Sequence, residues 1–289
     1  YMDKTGRNGL RVGDLLDKNF TTQYIKLRLK HQRLLDSFGF QEDISAWEEE
    51  FFEAIEFLRQ LNIVNGEYFI NEKIKAGNKV LAEGAQGSML DIDFGTFPFV
   101  TSSNTIAAGV CNGLGIAPRQ IGEVIGVTKA YCTRVGSGPF PTELLCNLGD
   151  KLQVIGKEYG TTTSRKRRCG WLDIPMIKWA TMINGDDNAT LCLIKLDVLD
   201  TFKEIKIGVA YKIDGNEVCG FPSSLEKLAD AEVEYEVFDG WMMPTTEIRD
   251  FNSLPTNAKI YLKRIEELIG IPIKFVGVGA ERDAMIHIE

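Results

Sequence analysis

Three short apolar runs limit what this chain can fold into. Glu123 to Tyr131, Leu191 to Asp197 and Ile273 to Val276 each have the length of a buried strand, and a loop follows each. Between them lie segments with apolar residues at helical spacing. Leu172 to Asn184 carries Met176, Ile177, Ala180 and Ile183 on one face, and Pro255 to Leu268 carries Ala258, Tyr261, Leu262, Ile265 and Leu268. Gly270 and Pro272 then stop the second helix. Strands that alternate with helices bury their apolar faces best as an α/β sheet. Ile205 to Ile213 alternates and turns at Asp214-Gly215, a hairpin signal, and Val233, Tyr235 and Val237 alternate beyond it. The expected fold class is therefore α/β: a mixed, mainly parallel central sheet with flanking helices. Lys79 to Glu83 reads as one more short strand, ending at Gly84-Ala85-Gln86-Gly87-Ser88.

The first quarter of the chain follows a different period. Leu27, Leu29, Leu34 and Leu35, then Phe51, Ile55, Leu58 and Leu61, recur near 3.6 residues, predicting a helical insertion near the N-terminus. Ser45 with Glu48 three residues on reads as a capping box for its second helix. The expected organisation is one domain over 1–289, helical at about 15–75 and α/β at about 76–289. His31, among lysines and arginines in the first helix, reads as a structural histidine.

Two stretches carry chemistry. In Gly160-Thr161-Thr162-Thr163-Ser164-Arg165-Lys166-Arg167-Arg168, hydroxyls run into four cations. Hydroxyls and planar guanidinium groups suit carboxylate or phosphate oxygens, so the loop reads as an anion clamp. A solvated charge run or a basic address for nucleic acid is the alternative. A formal net charge of −8 over 289 residues weighs against a general nucleic-acid binder. The second stretch, Lys195-Leu196-Asp197, ends a buried strand, where ligands bind in open α/β sheets. A carboxylate there can accept the N1–H and exocyclic amine of guanine. Lys212-Ile213-Asp214 has the same pattern but starts a hairpin turn. Gln86 is either a base-edge reader or a turn residue, and the hydroxyl-rich stretch Asp91 to Asn104 can hold phosphate, cap the next helix, or both. No G-x-x-x-x-G-K-[ST] occurs, no C-x-x-C pair, and no apolar run near 18 residues. The six cysteines read as reduced, mostly buried thiols of a cytoplasmic protein, without a metal site.

Together these segments resemble the adenylosuccinate synthetase family. The residues that carry the resemblance are Arg7-x-Gly9-Leu10-Arg11-Val12, Glu83-Gly84-Ala85-Gln86-Gly87 and Asp91 through Thr105. Arg134-Val135-Gly136-x-Gly138-Pro139-Phe140-Pro141-Thr142-Glu143, the clamp through Trp171-Leu172-Asp173, and Lys195-Leu196-Asp197-Val198-Leu199-Asp200 complete it. The resemblance implies a ligase of purine nucleotide biosynthesis. The γ-phosphoryl group of GTP passes to the 6-oxygen of IMP, and the amine of L-aspartate displaces it, with Mg2+ as cofactor. It implies IMP contacts at Gln86, Thr101, Val135 and Arg165. It implies an aspartate loop over Thr161, Thr162, Thr163, Ser164, Arg165, Lys166 and Arg167, with Arg167 also bridging to GTP. Lys195, Leu196 and Asp197 would read guanine above Gly277, Val278 and Gly279. Arg7 would reach the neighbouring subunit of a homodimer.

One departure from the family pattern is Gly277, where a serine hydroxyl often stands. The family's phosphate loop, catalytic base and metal ligand, and catalytic histidine have no counterpart in this sequence. They are expected upstream of Tyr1, which makes turnover by the chain alone doubtful. The competing expectation is an inactive guanine-nucleotide-binding or dimerisation fragment. Neither nucleic acid nor membrane is an expected partner.

Overall fold

The computed structural model describes residues 1–40, 42–160 and 164–288. The chain forms two compact units, Tyr1–Val80 and Leu81–Glu289.

The first unit is helical: α1 (Met2–Gly6), α2 (Phe20–Ser37), α3 (Ser45–Arg59) and α4 (Gly66–Lys75). Its small core is Leu15, Phe20 and Ile55, with Leu10, Phe52 and Ile63 packed against it. Tyr24, Phe51 and Phe52 stack beside it with ring centroids 5.1–5.5 Å apart, a favourable spacing for aromatic pairs. The capping box expected at Ser45 does not form. Ser45 is already helical and its hydroxyl donates to Asp43 Oδ1 at 2.5 Å, while Glu48 Oε1 accepts from the Tyr24 hydroxyl and pairs with Arg28. The aromatic and basic residues of α2 draw the Glu48 carboxylate away from the helix terminus. His31 Nε2 lies 2.7 Å from Asp3 Oδ2 and links α2 to α1, a structural role.

The second unit contains α5 (Ala108–Leu114), β1 (Val124–Lys129), β2 (Cys132–Arg134), α6 (Asn147–Ile155), β3 (Arg168–Gly170), β4 (Leu172–Asp173) and α7 (Ile174–Asn184). Then come β5 (Ala189–Ile194), β6 (Glu204–Ile213), β7 (Asn216–Val218), α8 (Leu225–Ala229), β8 (Glu232–Asp239), α9 (Thr256–Ile269), β9 (Ile273–Gly277) and β10 (Met285–His287). The central sheet runs β1-β5-β9-β10. The first three strands are parallel and β10 is antiparallel to β9. A second sheet is built on β6, paired with β4 in parallel and with β7 and β8 antiparallel. The fold is thus α/β with a mixed, mainly parallel central sheet.

The helical period of α9 marks core residues, whereas of the eight apolar residues at helical spacing in the first unit only Ile55 is buried. Ala258, Tyr261, Leu262 and Ile265 of α9 are buried together with Leu191, Leu193, Ile273, Val276 and Ile286 of the sheet. At roughly 1.5–3 kcal/mol for each large apolar side chain buried, this face holds α9 on the sheet. Gly270 ends α9 at φ 82°, and Asp214 and Gly215, both at positive φ, make the β6–β7 turn of the twist that hairpins favour. Asp173 caps α7 through the Met176 N–H at 3.1 Å and takes the Tyr211 hydroxyl on both oxygens at 2.7 Å.

Three further expectations need correction. Lys79 to Glu83 is not a strand: it pairs with no described residue, and Leu81 is 91% exposed. Three apolar residues give a strand its propensity but not a partner. Among the described residues β1 is an edge strand, with Ile125 and Val127 exposed rather than buried. Of the cysteines only Cys132 and Cys169 are buried, while Cys146 and Cys219 are exposed.

Candidate functional site

The parallel strands β1 and β5 end side by side, and each delivers a lysine there, Lys129 as the last residue of β1 and Lys195 just beyond β5. Lys195 sits in the left-handed region, at φ 63°. This bend turns the chain out of the sheet and into a 3-10 turn that buries Leu196 and Leu199. Ligands bind outside the carboxyl ends of such strands.

Both lysines converge on one carboxylate that the sequence pattern does not single out. Glu158 is fully buried. Its Oε1 accepts from the Tyr131 hydroxyl at 2.6 Å, Lys195 Nζ at 2.8 Å and Lys129 Nζ at 3.0 Å. Its Oε2 accepts from Arg167 Nη1 at 2.8 Å and Lys129 Nζ at 2.9 Å. Burial alone would raise the Glu158 carboxyl. The hydrogen bonds from Lys195, Tyr131 and Lys129 outweigh it and hold the group at about 2. Burial correspondingly lowers the Lys129 ammonium, and it raises the Tyr131 phenol. Three cations against one carboxylate leave a net charge of +2 in this hub.

The described arms of the clamp, 158–160 and 164–167, pair with each other, and this stem rests on the same residue. The Arg167 N–H donates to the Glu158 carbonyl at 3.0 Å, Tyr159 bridges Lys166, and the Gly160 N–H donates to the Arg165 carbonyl at 2.8 Å. Gln153 Nε2 pins the Arg167 carbonyl from α6 at 2.8 Å. Ser164, at φ 51°, Arg165 and Lys166 are exposed, whereas Arg167 is half-buried. Thr161, Thr162 and Thr163 lie outside the described residues. Arg168 turns away from the clamp. It makes a two-pronged pair with Glu143, donates to the Gly136 and Gly138 carbonyls at 3.1 and 2.8 Å, and covers Phe140. The run of four cations is thus divided: Arg168 is structural, Arg167 belongs to the hub, and Arg165 and Lys166 face solvent.

Asp197 lies two residues beyond Lys195, and its Oδ1 is buried with no hydrogen-bond partner. Burial raises its carboxyl, and the nearby Asp200 adds to the rise. Asp200 itself is fully used, accepting from Trp241 Nε1 and from the Thr245 N–H and hydroxyl at 2.6–2.9 Å. An orphaned buried acceptor is expensive unless a donor arrives from outside. Gly277 packs on Ile194, where an added Cβ would stand 3.2 Å from the Ile194 Cα. Gly277 therefore lies beside the last residue of β5, which Lys195 follows in sequence. Gly277 and Val278 are buried and Gly279 is half-buried.

The remaining sequence candidates gather around a second loop cluster. Asp91 is buried and accepts backbone N–H bonds from Asp93, Phe94, Thr105 and Ile106. Despite its burial, those bonds hold its carboxyl below the ordinary value and fold the segment from 91 to 106 around it. The Asn184 side chain at the end of α7 ties this cluster down through Ser88 Oγ and the Ala107 N–H. Arg134 joins it to the next loop, donating to Thr96 Oγ1 at 2.9 Å and to the Ser137 carbonyl at 3.0 Å. Gly138, at φ 105°, admits that guanidinium, since a Cβ there would overlap it. Gln86 and Val135 are exposed on these loops and Thr101 is half-buried. The Arg165 guanidinium lies beside Gly136, next to Val135 in sequence. Arg7 belongs to the first unit, as the left-handed cap of α1 at φ 58°. Among the described residues no three His, Cys, Asp or Glu side chains form a metal site. No helix among them is long and apolar enough to cross a membrane.

A family model described as adenylosuccinate synthetase matches residues 1–286. The adenylosuccinate synthetase of Parabacteroides distasonis is 50% identical over 286 residues, covering 99% of this chain and 66% of the relative. That of Bacteroides thetaiotaomicron is 48% identical, with 99% and 67% covered. The chain therefore spans about two thirds of the length of the curated relatives it matches. A structure described as fully ligated adenylosuccinate synthetase from Plasmodium falciparum superimposes with a TM-score of 0.93 at 41% identity, covering 100% of this chain and 68% of that one.

Proposed function

Because this chain belongs to the adenylosuccinate synthetase family, we infer that it serves the GTP-dependent ligation of L-aspartate to IMP. In this reaction the γ-phosphoryl group of GTP is transferred to the 6-oxygen of IMP. The amine of aspartate then attacks carbon 6, and phosphate leaves. The residues of this chain bind and orient the three substrates. Asp197 accepts the guanine N1–H and amine, the stem of Lys195 lies along the base, and the backbone of Gly277 to Gly279 passes beneath it. Arg167 faces the GTP phosphates, backed by the net positive charge of the hub. Charge stabilisation of this kind is a large part of what phosphoryl transfer requires. Thr161, Thr162, Thr163, Ser164 and Arg165 hold the aspartate carboxylates, with Lys166 in the same loop. Gln86, Thr101, Val135 and Arg165 surround IMP.

Mg2+ would neutralise phosphate charge during the transfer. Among the described residues no three His, Cys, Asp or Glu side chains are grouped to hold it. We place the enzyme in the cytoplasm as a homodimer, with Arg7 reaching the IMP phosphate of the neighbouring subunit.

The observation that carries this reading is the buried, unpaired Oδ1 of Asp197 beside the bend at Lys195. A site that lacks one hydrogen-bond donor discriminates sharply in favour of the ligand that brings it. The test is calorimetric titration of the chain with GDP and with ADP. GDP should bind at least tenfold more tightly than ADP, and Asp197→Asn should lose about 1–3 kcal/mol toward GDP alone. Equal affinity for GDP and ADP, or an Asp197→Asn variant that keeps its preference, would overturn the guanine assignment.

A further inference from the structure

The guanine-side lysine and the clamp arginine are 28 residues apart in sequence, yet they end on the two oxygens of the same carboxylate. Lys195 Nζ is 2.8 Å from Glu158 Oε1, and Arg167 Nη1 is 2.8 Å from Oε2. Lys195 also donates to the Gly156 carbonyl at 2.6 Å, so its ammonium is anchored twice on the segment that leads into the clamp. The Glu158 carbonyl carries the clamp stem through the Arg167 N–H. Tyr131 and Lys129 supply the remaining donors, and Glu158 has no exposure to solvent.

We propose that Glu158 is a positioning residue that couples the guanine pocket to the clamp loop, so that ligands at the two sites bind interdependently. The coupling rests on the assignment of guanine to Asp197 and of aspartate and IMP to the clamp. Its physical basis is that a buried carboxylate can be fully paired in only a few arrangements, and leaving a buried charge partly unpaired is costly. A guanine nucleotide that settles Lys195 thereby selects the arrangement of Glu158 that presents Arg167. Anions that engage Arg167 select the same arrangement from the other side. Binding coupling of this kind must be reciprocal. Glu158 touches no ligand itself, being closed off by its four partners.

The experiment compares the affinity of GDP without and with saturating IMP and L-aspartate, by calorimetry on the 289-residue chain. In the wild type, GDP should bind at least about fivefold more tightly in the presence of the other two. In Glu158→Asp, which keeps the charge but shortens the reach, the ratio should fall to within about twofold of unity. GDP alone should still bind preferentially over ADP in that variant. A merely structural defect would weaken GDP by the same factor in both conditions and leave the ratio untouched. Tyr131→Phe removes the 2.6 Å hydrogen bond and no charge. It provides the same reading if Glu158→Asp does not fold, and its ratio should also drop at least twofold. A wild-type ratio near one, or a folded variant that keeps the wild-type ratio, overturns the coupling. Absence of any preference for GDP in the wild type would instead overturn the guanine assignment, which separates the two failures.

Discussion

Replacing Glu158 by Gln should cost about 3 kcal/mol of folding stability at pH 7, with a pH signature that identifies the cause. The carboxyl is held at about 2 in the folded chain against an ordinary 4.5. At 1.36 kcal/mol per pKa unit, that difference corresponds to about 3 kcal/mol once the group is ionised in both states. A second route gives the same size, since removing one partner from a buried ion pair typically costs about 3–5 kcal/mol. The sign follows from proton linkage. Because the folded carboxyl has the depressed value, its contribution is complete above the unfolded value of 4.5. It declines as pH falls through the folded value of about 2. Urea unfolding of wild type and Glu158→Gln, followed by tryptophan fluorescence, should differ by about 3 kcal/mol at pH 7 and by only about 1 kcal/mol at pH 3. A difference below about 1 kcal/mol at pH 7, or one that stays constant down to pH 3, would refute the reasoning that the paired charge itself is what stabilises.

Asp173 should give the opposite slope. Burial, offset in part by the Tyr211 hydroxyl and the Met176 N–H, raises its carboxyl to about 6 from 3.8. Its contribution is therefore fully present below 3.8 and is lost as pH rises through 6. Asp173→Asn should flatten the stability profile between pH 4 and 6 by on the order of 3 kcal/mol, read from calorimetric melting at several pH values. Gly240→Ala should destabilise by about 3 kcal/mol or more, measured as a lowered urea midpoint. A Cβ at Gly240 would overlap the Phe202 carbonyl oxygen and stand 2.8 Å from its carbon, and backbone cannot move aside as a flexible side chain can. An Ala variant with an unchanged midpoint would contradict that packing.

What could be read from the sequence was whatever repeats or is spelled out locally. The four buried residues of α9 recur at helical spacing, and the Asp214-Gly215 turn announces itself in two letters. Lys195 and Asp197 stand out because a charged pair ends an apolar strand. Glu158 does not, because a glutamate between Lys157 and Tyr159 resembles any solvated surface residue. Its burial depends on Lys129 and Lys195, from strands far away in sequence. One signal was present. Between Asp150 and Asp173 the only acidic residue is Glu158, and the four cations from Arg165 to Arg168 need a counter-charge. The strand expected at Lys79 to Glu83 failed for a related reason. Propensity is local, whereas pairing needs a second segment that propensity does not describe. Asp91 and Arg134, which shape the loops around Gln86, Thr101 and Val135, look in sequence like ordinary polar loop residues.

Glu158 also sets how this protein can change over generations. A substitution at Lys129, Arg167 or Lys195 alone would alter the pairing of a carboxylate that water cannot reach, so its effect depends on what the other three positions hold. Stability changes at the four positions should therefore be coupled rather than additive, so that a second substitution can compensate for a first. The bend after β5 and the stem of the clamp thereby share a constraint on their variation, although β1, the clamp and β5 are separate stretches of the chain.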